Sequence, residues 1–564
     1  MMLRSLMVLL LAAVLGPRPA VAGGGPLNTL VVVNRSSRNS RALGAYYAQQ
    51  RNIPNSHLCS IQADSRSSTI SLDDFERQIR APIAEHITGH NLDGQIHYLV
   101  LCMDIPTRVE NFNGITAALF YGFKAAEPDA PQCNIAPDSV NQYFGAETAY
   151  TSSAGWNRTN APIPFLLTAE SLDLAKAAVD RAVASDAAFP DGVFCLYGSG
   201  DSAHNIRHRT YAHVARRFEE VGLRDRLIVN PAADPVPDRP VLGLMTGRAY
   251  LPTQYIGMVF APGAIAEHLT SCAGMIPDPC YNQSSVWDWM RLGATVSYGT
   301  VSEPCAFREK FPDPMLFFWY SRGFTAGEAL AMSVRNPYQG LWVGDPLAAP
   351  FAAPPSVRIL SPAPHESLDG ETPLRIAVAA HDRGSPPVFL DLYVDGRHHA
   401  PVVRPIAPVG NRLAAQVGTN RFSYTVAPAE DLFAAVAGLA WAINAKGRGQ
   451  ITAKAVADRL EISVRQPMDR SGRPLAFSVD CEQGFGRALY IGAQTSTPRL
   501  VVEEGLGRAA AVIHLGAART YEIEYPLDPD AFEPGSRLFT LVVRDGTAMQ
   551  CQSQTDLPLR IPPR

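Results

Sequence analysis

The chain has 564 residues, 46% of them hydrophobic and 18% charged. That composition excludes a disordered polymer, and the length implies roughly two to four domains of ordinary size. Formal net charge is −4, or −6 (47 basic against 53 acidic) once an N-terminal segment carrying Arg4 and Arg18 is removed; such a chain lacks the clustered positive charge of a non-specific nucleic-acid binder.

Residues 1–22 have the features of a secretory signal peptide. Arg4 supplies a basic start, Leu6 to Leu15 an apolar run, and Ala20-Val21-Ala22 a small-x-small cleavage site ahead of Gly23-Gly24-Gly25. The apolar run is too short to span a bilayer, Gly16-Pro17 interrupts it, and no later stretch offers the ~18 uncharged apolar residues of a spanning helix. The expectation is an exported protein, periplasmic or extracellular, with no transmembrane helix after signal removal.

From Thr29 to about Pro350 strand-like and helix-like stretches alternate. Strands are predicted at 30–33, 95–103, 192–197, 241–245, 255–260 and 295–298. Helices are predicted at 40–50, 71–86 (with Pro82 as a kink), 169–183, 211–221, 315–320 and 325–334. Fully apolar strands alternating with helices predict a mostly parallel sheet covered on both faces. Ala352-Ala353-Pro354-Pro355 reads as a linker. Beyond it, short alternating strands with Asp-Gly turns predict an immunoglobulin-like β-sandwich built from 357–405 and 537–563. The region 406–536 reads as an insertion. It carries a β-α-β-β module at 421–464: a strand from Phe422, a helix over 428–444 with Val436, Leu439 and Ile443 on one face, and a hairpin after Ile451. No repeat of 20–50 residues and no low-complexity tract is present.

Nine cysteines leave at least one thiol unpaired. Cys102 and Cys195 lie in apolar strand-like runs, whereas Cys133, Cys280 and Cys305 lie in loop-like sequence and are the better disulfide candidates. Cys272 and Cys280 are too far apart for a zinc knuckle.

The densest chemistry is His268-Leu-Thr-Ser-Cys272-Ala-Gly274, followed by Trp287 to Gly299, Lys310-Phe-Pro-Asp313 and Gly344-Asp345-Pro346. A Cys with a small neighbour and a nearby Gly, then a helix and a Gly-Ala-strand-Gly segment, resembles the nucleophile region of caspase-like peptidases, especially the gingipain type. Gly344-Asp345-Pro346 is similar to a segment closing gingipain-like domains. The resemblance implies a caspase-like (gingipain-like) α/β domain over 26–352. That region also resembles an uncharacterised family of exported bacterial proteins found in species with exosortase-type sorting. The matching stretches are Val32-Val-Asn34, Gln95 to Val100, Pro262 to Ser271, Ser297 to Val301 and Val343-Gly-Asp-Pro-Leu347.

A cysteine nucleophile needs a base to make its thiolate. The enzymes resembled place His-Gly at the end of the strand before the Cys strand; Met245-Thr246-Gly247 stands there in this chain, with the Gly and without the His. His268, four residues ahead of Cys272, and His204, past the strand ending at Tyr197, are the substitutes. A second pattern is Asp201, His204 and His208. A helix starting near Ser202 would put both histidines on one face, as metal-binding pairs are, or Asp201 would simply cap a helix whose polar face holds them among Arg207 and Arg209. Asp104, Arg108 and Glu110 follow a strand and, with Asp201, would make an acidic site or ordinary caps and surface pairs. Tyr197-Gly-Ser199-Gly is half a nucleophile elbow. No phosphate-binding, dinucleotide or calcium motif is present.

These residues predict no cofactor and no metal. The leading expectation is a non-catalytic binding or surface-associated protein on a caspase-like scaffold lacking its His, with a protein or cell-surface partner. The alternative is a cysteine peptidase using Cys272 with His268 or His204. Cys272 is expected at the sheet's C-terminal edge, beside 245–247, with an ordinary thiol.

Overall fold

The computed structural model describes residues 23–125, 140–152, 161–303, 307–403, 410–428 without 411, 430–456 without 431, 459–481 without 467 and 474, short strands within 491–517, and 519–563. The segment 1–22, expected to be a signal peptide, and the disulfide candidates Cys133 and Cys305 lie outside the described residues.

Ten strands make one sheet: β1 Thr29–Asn34, β2 Leu58–Ile61, β3 Tyr98–Cys102, β4 Ile163–Leu167, β5 Val193–Tyr197, β6 Leu227–Asn230, β7 Val241–Thr246, β8 Phe260–His268, β9 Val296–Thr300 and β10 Gly340–Gly344. Every residue of β3, β4, β5, β7, β9 and β10 is buried, as uninterrupted apolar runs require. Alternation shows through nonetheless. Phe194 and Leu196 enter one core, and Cys195 and Tyr197 enter another on the opposite face.

The strand order is β2-β1-β3-β4-β10-β9-β8-β7-β5-β6. The strands β1 to β4 and β10 are mutually parallel, and so are β5 to β9. The two sets meet antiparallel, with Val296 opposite Gly344 and Thr300 opposite Gly340. The sheet is therefore mostly parallel, as expected, but it consists of two halves running in opposite directions. Numbered from its own first strand, each half has the order 2-1-3-4-5. The expected strands at 30–33 and 96–103 belong to one half, and those at 193–197 and 241–245 to the other.

The strand expected at 255–260 is corrected to a 3-10 turn over Thr253–Gly257 and then β8. Tyr255 and Met258 are buried while Ile256 is 77% exposed, a spacing of three that suits a helical turn.

Helices α1 Arg38–Arg51, α2 Ala81–Gly89, α3 Ile115–Tyr121, α4 Leu172–Ser185, α5 Tyr211–Glu220, α6 Val286–Leu292, α7 Met315–Ser321 and α8 Ala326–Ser333 cover the sheet. Ser37 and Ser171 cap α1 and α4, and Thr325 with Glu328 forms a capping box on α8. Ahead of Pro82, which has no N–H to donate, the helix loosens into a π turn over Glu76–Arg80.

The chain then forms β11 Ser356–Ser361, β12 Thr372–Ala379, β13 Pro387–Val394 and β14 Arg397–Val403. It departs into the insertion: β15 Arg412–Val417, β16 Asn420–Thr425, α9 Leu432–Gly447, β17 Ile451–Val456, β18 Arg459–Val464, β19 Phe477–Cys481, β20 Val501–Glu503 and β21 Arg508–His514. It returns as β22 Thr520–Leu527, β23 Gly535–Asp545 and β24 Gln552–Ile561. Sheets β11-β12-β22 and β14-β13-β23-β24 are antiparallel and enclose one core containing Ile376, Leu392, Phe539 and Leu559. The expected β-α-β-β unit is present as β16, α9, β17 and β18, and Val436, Leu439 and Ile443 are buried between its sheets. The insertion ends earlier than 536. In β22, Tyr521, Ile523 and Tyr525 alternate inward against the sandwich core.

The linker reading of 352–355 is corrected as well. Ala352 and Ala353 are 0% and 8% exposed, because the sandwich is packed onto the α/β unit. The Gln95 amide donates to Gly396 O (2.7 Å) and accepts from the His398 N–H (2.9 Å). Ala548, Met549 and Cys551 belong to the same core as α7 and α8. These contacts cap the N-terminal ends of the first half. Among the described residues no helix is long and apolar enough to cross a membrane.

Candidate functional site

In parallel α/β sheets ligand groups collect beyond the strands' C-terminal ends. Because the halves are reversed, this sheet has two such places, on opposite edges. Asp104 follows β3 on one edge and Asp201 follows β5 on the other, so the acidic site imagined from Asp104, Glu110 and Asp201 is not assembled. Asp104 accepts the Ser37 hydroxyl and, through its carbonyl, the Asn34 amide. Glu110 accepts the Leu72 N–H at 2.7 Å, and Arg108 sits in a short strand paired with Thr69. Beside them is an open groove of about 700 Å³, lined by Arg35, Ser36, Gln62, Asp64 and Arg77 among others.

The other edge holds the predicted site. Thr246 ends β7 opposite His268, which ends β8, and the Leu269 N–H donates to Thr246 O. Met245-Thr246-Gly247 thus lies beside the Cys272 turn, as expected. Cys272 is fully buried and is joined to Cys280 in a disulfide, with Cα atoms 5.5 Å apart. It carries no thiol, which corrects the expectation of an ordinary one and leaves this state without a thiolate nucleophile.

His268 is the last residue of β8. Its Nδ1 accepts the Trp289 indole N–H at 2.9 Å, so Nε2 carries the proton and donates to Ser284 O, also at 2.9 Å. Burial pulls its pKa down to about 4. It is a neutral imidazole with both nitrogens engaged. His204 lies in a turn whose backbone covers Gly247, where a Cβ would stand 2.7 Å from His204 O; its Nδ1 is 2.7 Å from Asp201 Oδ2. The helix begins at Tyr211 rather than Ser202, and His208 Nδ1 donates to Asn205 O, so the two histidines do not share a helical face. Ser199 is buried and accepts the Asp201 N–H at 3.2 Å.

Two charged residues to which the sequence motifs assigned no role dominate this edge. Arg207, 2% exposed, donates to Glu267, to Pro312 O (3.2 Å) and to Thr246 O (3.2 Å), so it fastens the ends of β7 and β8 together. Lys310 is 0% exposed; its Nζ lies 2.8 Å from Ser271 Oγ, 3.1 Å from Gln339 Oε1 and 3.3 Å from Ser302 O. Desolvation pulls its pKa down to about 7 against the opposing pull of Glu303. The available signal was a lysine set between Phe307 and Phe311 in a chain with five lysines in all; both rings lie against Nζ. Glu303 also approaches Cys272 Sγ at 3.7 Å. The two sulfurs and a Glu303 oxygen fall within 4.8 Å of one another, a metal-like spacing whose sulfurs are here committed to each other.

Comparison with protein-family models gave no match, and comparison with curated proteins gave none either. Among solved structures, the fibronectin(III)-like modules of Clostridium thermocellum CbhA are similar over 37% of this chain and 94% of that one, at 11% identity and a TM-score of 0.08. A score that low carries no argument about fold or function.

Proposed function

We propose that the chain is an exported protein whose α/β unit is a caspase-like scaffold used for binding a protein or cell-surface partner, with the sandwich as an immunoglobulin-like module fixed to it. One observation carries the non-peptidase part of this reading: the residue at the nucleophile position is buried in a disulfide while its neighbouring histidine is neutral and fully bonded. The peptidase alternative, Cys272 with His268 or His204, requires that disulfide to be absent and His268 to exchange both partners. Iodoacetamide should leave Cys272 and Cys280 unlabelled until the protein is reduced. Fast alkylation at pH 6, abolished by Cys272→Ala, would reinstate the peptidase. Cross-linking on intact cells should capture a protein or surface polymer, and a chain that captures neither is not such a binder.

A second reading is favoured by the 2.8 Å contact between Lys310 and Ser271. An amine near neutrality can take the Ser271 Oγ proton as that oxygen bonds an acyl carbon; the ammonium then returns the proton to the leaving group, and water later releases the acyl enzyme. Labelling of Ser271 by a fluorophosphonate, lost in Lys310→Met, would establish a serine hydrolase; an unlabelled Ser271 removes this reading.

A further inference from the structure

Glu328 is fully buried. As the acid of the α8 capping box it accepts the N–H (3.0 Å) and O–H (3.1 Å) of Thr325 on Oε2, and the Tyr150 N–H (2.9 Å) on Oε1. Among the described residues no basic side chain forms an ion pair with it. Burial pushes its pKa up to about 7. A buried carboxylate with only neutral donors is costly to keep charged.

The segment packed against it is Gly23-Gly24-Gly25. A Cβ on Gly23 would overlap the Glu328 carboxylate, and one on Gly24 would overlap the Tyr98 ring. Gly23 has φ +43°, and its N–H donates to Met549 O of the sandwich at 2.7 Å. These glycines therefore sit where the α/β unit meets the sandwich, with no room for side chains. Gly23 is also the first residue after Ala20-Val21-Ala22.

We propose that Gly23 is the amino terminus of the mature protein and that its ammonium is the counter-ion of Glu328. Water adds across the Ala22–Gly23 peptide bond. Ala22 leaves with the new carboxylate, and the Gly23 nitrogen, taking up a proton, becomes an ammonium. One of its three N–H groups keeps Met549 O, and the others are available to Glu328. Processing thereby converts a neutral peptide N–H beside a buried acid into a buried ion pair that ties the leading segment to both domains. The inference rests on the export reading.

The test uses the exported protein and two chains made from residue 23 onward, one starting at Gly23 and one with Ala-Ala placed ahead of it. Mass spectrometry of the exported protein should find Gly23 first. Its α-amine should acetylate more than about tenfold slower in the folded chain than in the unfolded one. The extended chain should melt roughly 5 °C lower, and Glu328→Gln should lower the melting temperature of the Gly23 chain but not of the extended one. If Glu328→Gln does not fold, the acetylation ratio decides. An uncut exported chain would overturn export and lock together. A cut at Gly23 with an amine equally reactive in both states, or equal effects of Glu328→Gln on both chains, would overturn the lock alone.

Discussion

The two halves of the sheet share a strand order and differ at the ends where that order usually places chemistry. In the first half the C-terminal ends open onto the groove beside Arg35 and Asp64, and the N-terminal ends are sealed by the sandwich through Gly396 and His398. In the second half the C-terminal ends are closed. Arg207, Lys310, His268 and Cys272 are all buried there and Cys280 is half-buried, each tied to backbone or side-chain partners. Equal topology therefore does not give equal sites. The first half keeps accessible polar surface, and the second spends its polar groups on holding strand ends together.

The halves are also joined by charge, and this is where the largest effect is expected. Arg51 at the end of α1 is 1% exposed and reaches Asp186, which follows α4, and Asp345, which follows β10; the Tyr47 hydroxyl completes the set at 2.9 Å from Asp345. Arg51→Ala leaves two carboxylates buried without their cation and should lower stability by about 3–5 kcal/mol in urea unfolding. Arg207→Ala in the second half should cost a similar amount; a loss below about 1 kcal/mol at either position would show that water reaches these acids.

The titrating groups of the closed end give the next test. Lys310 has its pKa lowered in the fold, so its contribution is present above the unfolded value and is lost as pH falls through about 7. Stability should fall by on the order of 3 kcal/mol between pH 10.5 and 7, and Lys310→Met should flatten that slope. His268, lowered to about 4, contributes stability that is present above pH 6.5 and lost between 6.5 and 4; His268→Gln should remove part of the acid transition. The bridge follows. Cys272→Ala with Cys280→Ala should cost about 2.5 kcal/mol, an amount that reductant removes from the wild type. At the open groove Gln62→Ala should leave the melting temperature unchanged within about 1 °C.

The parts of this architecture legible in the sequence are those fixed by local pattern. The apolar runs at 98–102, 193–197 and 241–245 announced two-sided burial, and the spacing of Val436, Leu439 and Ile443 announced α9. Direction was not legible, because a strand's sense depends on where its connection crosses and not on its residues. Pro164 inside β4 and the four-residue length of β2 hid two more strands. At the site, the sequence pointed to the right turn and to the wrong atoms. Cys272 and His268 do end up on one edge, but their partners, Cys280 and Trp289, come from the segment that follows and close over them. Lys310 stood in the densest stretch of chemistry without a role, because a lone lysine carries no motif.

The position of β10 has a consequence for how the chain is made. Its partner in the first half, β4, is synthesised about 175 residues earlier, yet the two pair at Leu166 and Val343. Until β10 arrives, β4 is an unprotected apolar edge, the kind that recruits foreign strands. A polypeptide made amino end first therefore carries an unfinished sheet until β10 has been added, and closure of the first half waits on this distant pair. Stalled or truncated chains ending before residue 340 are the species on which chaperones and proteases would act.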